Sequence, residues 1–120
     1  MIIRGDALHL PLRDDSVHLV IVDPPCEEID CDQVRAEAER VCTGPVIVSP
    51  DVEHWNPGDG YGAAFYSVDV TRWITDTTAP GQVVLDSCCG IGTVPKVADQ
   101  LGRIGVGVEF VPFRAERAAR

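Results

Sequence analysis

Five short runs of apolar, largely β-branched residues punctuate this chain, and what lies between them decides how they can pair. The runs are Ile2–Ile3, Val17–Val22, Val46–Val48, Val83–Leu85 and Ile104–Phe110. Val17–Val22 is apolar at successive rather than alternate positions apart from His18, which reads as a strand covered on both faces. Helical spacing fills the gaps. From Asp32 to Cys42, Val34, Ala38, Val41 and Cys42 share one face, while Glu37, Glu39 and Arg40 leave it. From Val70 to Thr78, Val70, Trp73, Ile74 and Thr77 share a face, with Asp69 as the expected N-cap. Val94, Val97, Ala98 and Leu101 form a third stripe, with Pro95 in the first turn and Gly102 past the end. Pro112 opens a last helix, and the Gly- and Pro-rich segment from Asp51 to Tyr66 is a long loop. Strands alternating with helices imply an α/β fold: a small, mainly parallel sheet of about five strands with helices on both faces. Residues 1–120 make a single domain on this reading.

Right-handed crossovers bring the C-terminal ends of parallel strands to one edge, where such folds bind ligands. Asp6, Asp23, Asp86 and Glu109 all stand at or just past predicted strand ends. The stretch Asp86-Ser87-Cys88-Cys89-Gly90-Ile91-Gly92-Thr93 is a tight turn from strand to helix. Its glycines permit a sharp bend and close approach to a ligand, and the following helix aims free N–H groups at the site. Pro95 occupies the place of the third glycine in a dinucleotide fingerprint, which disfavours a pyrophosphate. Glu109 lies where a carboxylate can accept both hydroxyls of a ribose. Together they suit a nucleoside cofactor without a pyrophosphate; the glycines alone are equally those of an ordinary tight turn.

Asp23-Pro24-Pro25 closes the second run. Proline terminates strands because it cannot donate to a ladder. Two prolines also stiffen a turn, fixing the Asp23 carboxylate and aiming backbone carbonyls outward. Acceptors so placed hold an amino group with its lone pair toward an electrophile, and Asp23 can take part in proton removal.

The stretch GDALHLPLRDDSVHLVIVDPPC resembles the start of the permuted (beta-class) DNA amino-methyltransferases, and PGQVVLDSCCGIGTVPKVADQLGRIGVGVEFVPFRAERAAR resembles their cofactor-binding half, in the permuted order. The resemblance implies a Rossmann-like methyltransferase fold and S-adenosylmethionine as cofactor. It implies Asp86, Gly90 and Gly92 at the methionine end, Glu109 on the ribose and Asp6 near the adenine, with Cys88 and Thr93 also among the cofactor-binding residues. It implies Asp23, Pro24, Pro25 and Cys26 as the catalytic element acting on an exocyclic amine of adenine or cytosine. Cys26 stands where the family has an aromatic, and Cys88 where it has phenylalanine. The middle of the chain has no target-recognition region, so this would be a minimal form. Two alternatives stay open. One is a degenerate, non-catalytic cofactor-binding or interaction module. The other is a cytosine carbon-5 methyltransferase using Cys26 as nucleophile, although no Glu-Asn-Val element accompanies it.

The formal net charge of -9 repels phosphate backbones, so DNA as a partner rests on the resemblance. A homodimer or a separate recognition partner would supply the missing specificity. Arg103, Arg114, Arg117 and Arg120 gather late in the chain, as favourable charge at a helix end and on a solvated face. His54 and Trp55 read as surface-loop residues. The five cysteines form no CxxC pair and have no histidine at metal-ligand spacing, so no metal site, free thiols and a cytoplasmic location are expected. No apolar run reaches the roughly 20 residues that span a bilayer. The compactness suits a phage or mobile-element origin.

Overall fold

The computed structural model describes residues 1–24, 29–48, 63–90, 92–111 and 119. The five strands are β1 (Ile2–Arg4), β2 (Leu19–Val22), β3 (Val46–Val48), β4 (Val83–Asp86) and β5 (Ile104–Glu109). Three helices are described: α1 (Cys31–Val41), α2 (Ala63–Thr77) and α3 (Thr93–Gln100). All strands pair in parallel in the order β1-β5-β4-β2-β3. Every strand therefore ends at the same edge.

The apolar runs explain the layering. Val20 and Val22 of β2 join Val34, Ala38 and Val41 of α1 in one core, with Leu85, Val106 and Val108. Leu19 and Ile21 point the other way, toward Val70 and Ile74 of α2 and Val94 and Ala98 of α3. A strand that must supply two cores cannot alternate apolar with polar residues. That is why β2 is buried at every position.

Three sequence expectations need adjustment. Regular β2 starts at Leu19, not Val17. Val17 makes an isolated bridge to Cys42, and His18 accepts the Val83 N–H on Nδ1 at 3.0 Å. The polar residue in the run thus anchors the foot of β4. Cys42 is extended and caps α1 rather than extending it, while Asp30 caps the other end through Asp32 and Gln33 N–H groups. Helix α2 begins at Ala63, so Asp69 lies inside it and is not its N-cap. Ala63 and Ala64 carry high helix propensity directly after the glycines, and the glycines masked it.

Candidate functional site

Parallel pairing delivers four acids to one edge. Asp86 and Glu109 are the last residues of neighbouring β4 and β5, Asp23 follows β2, and Asp6 follows β1. Gly5 donates to the Glu109 carbonyl at 3.1 Å, which ties the start of the Asp6 loop to the end of β5. Asp6 itself closes a small turn, its Oδ1 accepting the Leu8 N–H at 2.9 Å. Asp23 is half-buried, and Pro24 is buried.

The turn after β4 is held by backbone bonds and by two carboxylates. Cys88 donates its N–H to Asp86 Oδ1 at 3.0 Å, Cys89 to the Val108 carbonyl at 3.0 Å, and Gly92 to the Cys89 carbonyl at 2.8 Å. Glu109 reaches across from β5. Its Oε1 accepts from the Gly90 N–H at 3.0 Å and its Oε2 from Val111 at 2.9 Å. Gly90 and Gly92 adopt φ of 55° and 89°, the left-handed region where side chains are strained. Among the described residues, and leaving aside its chain neighbours, no heavy atom lies within 4 Å of where a Cβ on Gly90 would be. Gly92 then starts α3 with no side-chain cap.

Burial makes this edge electrostatically tense. Asp86 is only 7% exposed and Glu109 6%. Burial, opposed by the Cys88 N–H and reinforced by the Asp23 and Glu109 carboxylates, pushes the Asp86 carboxyl up to about 7. That Asp23 and Glu109 both act on Asp86 shows the three acids share one environment. Burial first, and then the neighbouring acids, push the thiols of Cys88 and Cys89 up to about 12. Both stay protonated near neutrality and are poor nucleophiles. Beside Asp86, the buried Ser87 hydroxyl has no hydrogen-bond partner among the described residues. Such an edge favours a cationic, hydrogen-bonding ligand. Each Glu109 oxygen keeps acceptor capacity beyond its one backbone bond.

Of the residues expected at the site, Asp6, Asp23, Pro24, Asp86, Cys88, Gly90, Gly92, Thr93 and Glu109 are brought to this edge. Pro25 and Cys26 lie outside the described residues, as do His54, Trp55 and the Pro112 helix start with Arg114, Arg117 and Arg120. Arg103 is not surface charge to spare: it donates to the Thr78 hydroxyl at 2.9 Å and to the Leu101 carbonyl at 2.8 Å, tying the ends of α2 and α3 together. Cys42, Cys88 and Cys89 are free thiols, but Cys31 is disulfide-bonded, which corrects the expectation of thiols throughout. Among the described residues no group of His, Cys, Asp or Glu is placed to hold a metal, and no helix is long and apolar enough to cross a membrane.

Two residues escaped the sequence reading. A Cβ on Gly107 would lie 2.7 Å from Cys89 Sγ, so this glycine lets the turn lie down on β5. The signal was present as glycine at alternate positions in Ile104-Gly105-Val106-Gly107. Phe110 directly follows Glu109 and is 70% exposed, a large apolar ring at the rim of the site.

Comparison with known proteins places this geometry. Neither a family model nor a curated protein sequence matches the chain. Solved structures do. TTHA0409, a candidate DNA modification methylase of Thermus thermophilus solved with S-adenosyl-L-methionine, matches with a TM-score of 0.76 at 18% identity, over 98% of this chain and 90% of that one. M1.HpyAVI matches with a TM-score of 0.68 at 16% identity, over 98% of this chain and 96% of that one. The chain shares their fold. It is the Rossmann-like methyltransferase fold expected from the sequence, a parallel five-stranded sheet with helices on both faces.

Proposed function

We propose that this chain binds S-adenosylmethionine at the Asp86–Gly92 turn and transfers its methyl group to an exocyclic amine of adenine or cytosine in DNA, as a minimal relative of the permuted amino-methyltransferases. One observation carries the reading. The Asp23-Pro24 element and the glycine turn come from opposite ends of the sequence, yet β2 and β4 are hydrogen-bonded neighbours and the Asp23 charge acts on Asp86. A transfer reaction needs its acceptor site and its donor site side by side.

The residues present suit the cofactor. Among the described residues, the space over Gly90, the Ser87 hydroxyl without a partner and the acidic edge match a ligand with ammonium, sulfonium and ribose hydroxyl groups. Glu109 would hold the ribose, Asp86 and the Gly90–Gly92 backbone the methionine end, Asp6 the adenine edge, and Phe110 would offer a stacking face. Bound there, S-adenosylmethionine supplies an electrophilic methyl on a cationic sulfur. Asp23 would accept one N–H of the target amine and the Pro24 carbonyl the other, turning the nitrogen lone pair outward. Asp23 would then take up the proton the amine releases. The net charge of -9 works against a long phosphate footprint, so recognition would come from a second copy or a separate partner. The solved complexes of TTHA0409 and M1.HpyAVI with the cofactor support the cofactor part of this reading.

Transfer of a radiolabelled methyl group to unmodified DNA tests the proposal, with calorimetry for cofactor binding. Asp23→Ala should lose about 10²–10⁴-fold in transfer rate while still binding cofactor. Equal transfer by wild type and Asp23→Ala would overturn the catalytic assignment. Cofactor binding by a wild type that transfers to no DNA would favour the non-catalytic module instead.

A further inference from the structure

Helix α1 carries a polar stripe that faces protein rather than water. Gln33, Glu37 and Arg40 recur at i, i+4 and i+7, on one side of the helix. All three bind the backbone of the loop that leaves β1. Gln33 Nε2 donates to the Leu8 carbonyl at 3.1 Å. Glu37 Oε1 accepts the Leu10 N–H at 2.8 Å, and Arg40 Nη2 donates to the Leu10 carbonyl at 3.0 Å. Arg40 Nη1 donates to the Leu12 carbonyl at 2.9 Å. The helix thus engages Leu8, Leu10 and Leu12, every second residue, and takes both backbone groups of Leu10. Arg40 and Glu37 also bind each other, Nε to Oε2 at 2.6 Å, so neither can swing free.

Burial of Ala7 and Leu10 already attaches this loop to the core. Apolar contact is non-directional and leaves the loop able to slide. Hydrogen bonds to alternate backbone groups fix its register. That register reaches the site through a short relay: Gln33 holds the Leu8 carbonyl, and the Leu8 N–H holds Asp6 Oδ1. The second Asp6 oxygen takes no part in this relay and is left for a ligand.

We propose that Gln33, Glu37 and Arg40 are positioning residues that set where Asp6 presents its carboxylate to the nucleoside end of the cofactor. The inference rests on the proposed cofactor site. It gives α1 a second consequence, because the helix follows the Asp23-Pro24 segment in sequence. One rigid helix thereby links the segment assigned to the amine with the loop assigned to the adenine.

The test is a thermodynamic cycle read with 5′-methylthioadenosine, which carries the nucleoside and lacks the methionine end, alongside S-adenosylmethionine. Gln33→Leu should weaken both ligands by the same factor, about fivefold to tenfold, with an unchanged circular dichroism spectrum. In an Asp6→Ala background, Gln33→Leu should have no further effect on either affinity, because its influence passes through Asp6. A merely structural role would give independent losses in the two backgrounds. Arg40→Met should behave like Gln33→Leu, and Arg40→Lys should recover part of the loss, since lysine still donates to a carbonyl. If Arg40→Met fails to fold, Gln33→Leu decides. Wild-type binding with unchanged affinity in Gln33→Leu overturns the positioning role alone. A wild type that binds neither ligand removes the cofactor site and this inference with it.

Discussion

Two segments leave the same edge of the sheet and are built on opposite plans. The loop after β1 is held by side chains from a helix, and its polar groups find partners: Leu10 is bonded at both N–H and C=O, and Asp14 is bonded to Arg40. The turn after β4 is held by backbone bonds within itself and to Val108 of β5, and by the carboxylates of Asp86 and Glu109. It keeps buried acids close together and, among the described residues, a hydroxyl without a partner and space over a left-handed glycine. Folding alone rewards the first plan. The second is tolerable only if something else completes it, because buried charge that faces like charge lowers stability. The contrast separates the scaffold from the candidate site.

The sharpest way to break the contrast is Gly107→Val. The new side chain would collide with Cys89 and lift the turn from β5, and a loss of about 3 kcal/mol is expected in urea denaturation. Next in size is Asp86→Asn, which should separate stability from binding. Asp86 has its folded carboxyl near 7 against an ordinary value of 3.8, so between those values the folded chain holds a proton that the unfolded chain has lost. Stability from this group therefore falls as pH rises through the window, and the full cost is present above about 7. Removing the charge should stabilise the ligand-free chain by about 2 kcal/mol at pH 8, with no gain below pH 4. The same change should weaken S-adenosylmethionine. In the wild type, affinity should climb with pH up to about 7 and level off, since a cationic ligand must displace the Asp86 proton below that point. A flat calorimetric profile from pH 5.5 to 8 would count against an ionised Asp86 in the complex. The smallest effect belongs to the scaffold side. Asp14→Ala removes an exposed ion pair to Arg40 and should shift stability by no more than about 0.5 kcal/mol.

Much of this was legible in the chain itself. Strands alternating with helices announce a parallel sheet, and the acids that stop the strands come to one edge of it. The glycine turn and Glu109 followed from backbone chemistry. The polar stripe of α1 is not legible: Glu37 and Arg40 leave the apolar face, and periodicity cannot show that a loop lies over them. The start of α2 hid behind glycines, since local composition there favours a loop while the alanines after it favour a helix. Gly107 needed the third dimension, because a close approach has two partners and only one of them is on the strand.

The strand order has a consequence in time. β5, late in the sequence, sits between β1 and β4. During synthesis β1 emerges before the other strands and has no strand neighbour until β5 is made, and only then does Gly5, at the start of the Asp6 loop, bond the Glu109 carbonyl. A nascent chain can form the β2, β3 and β4 part of the sheet early, but β1 stays unpaired until β5 has been made. The proposed cofactor site therefore waits for β5, and a truncation that removes β5 should abolish cofactor binding.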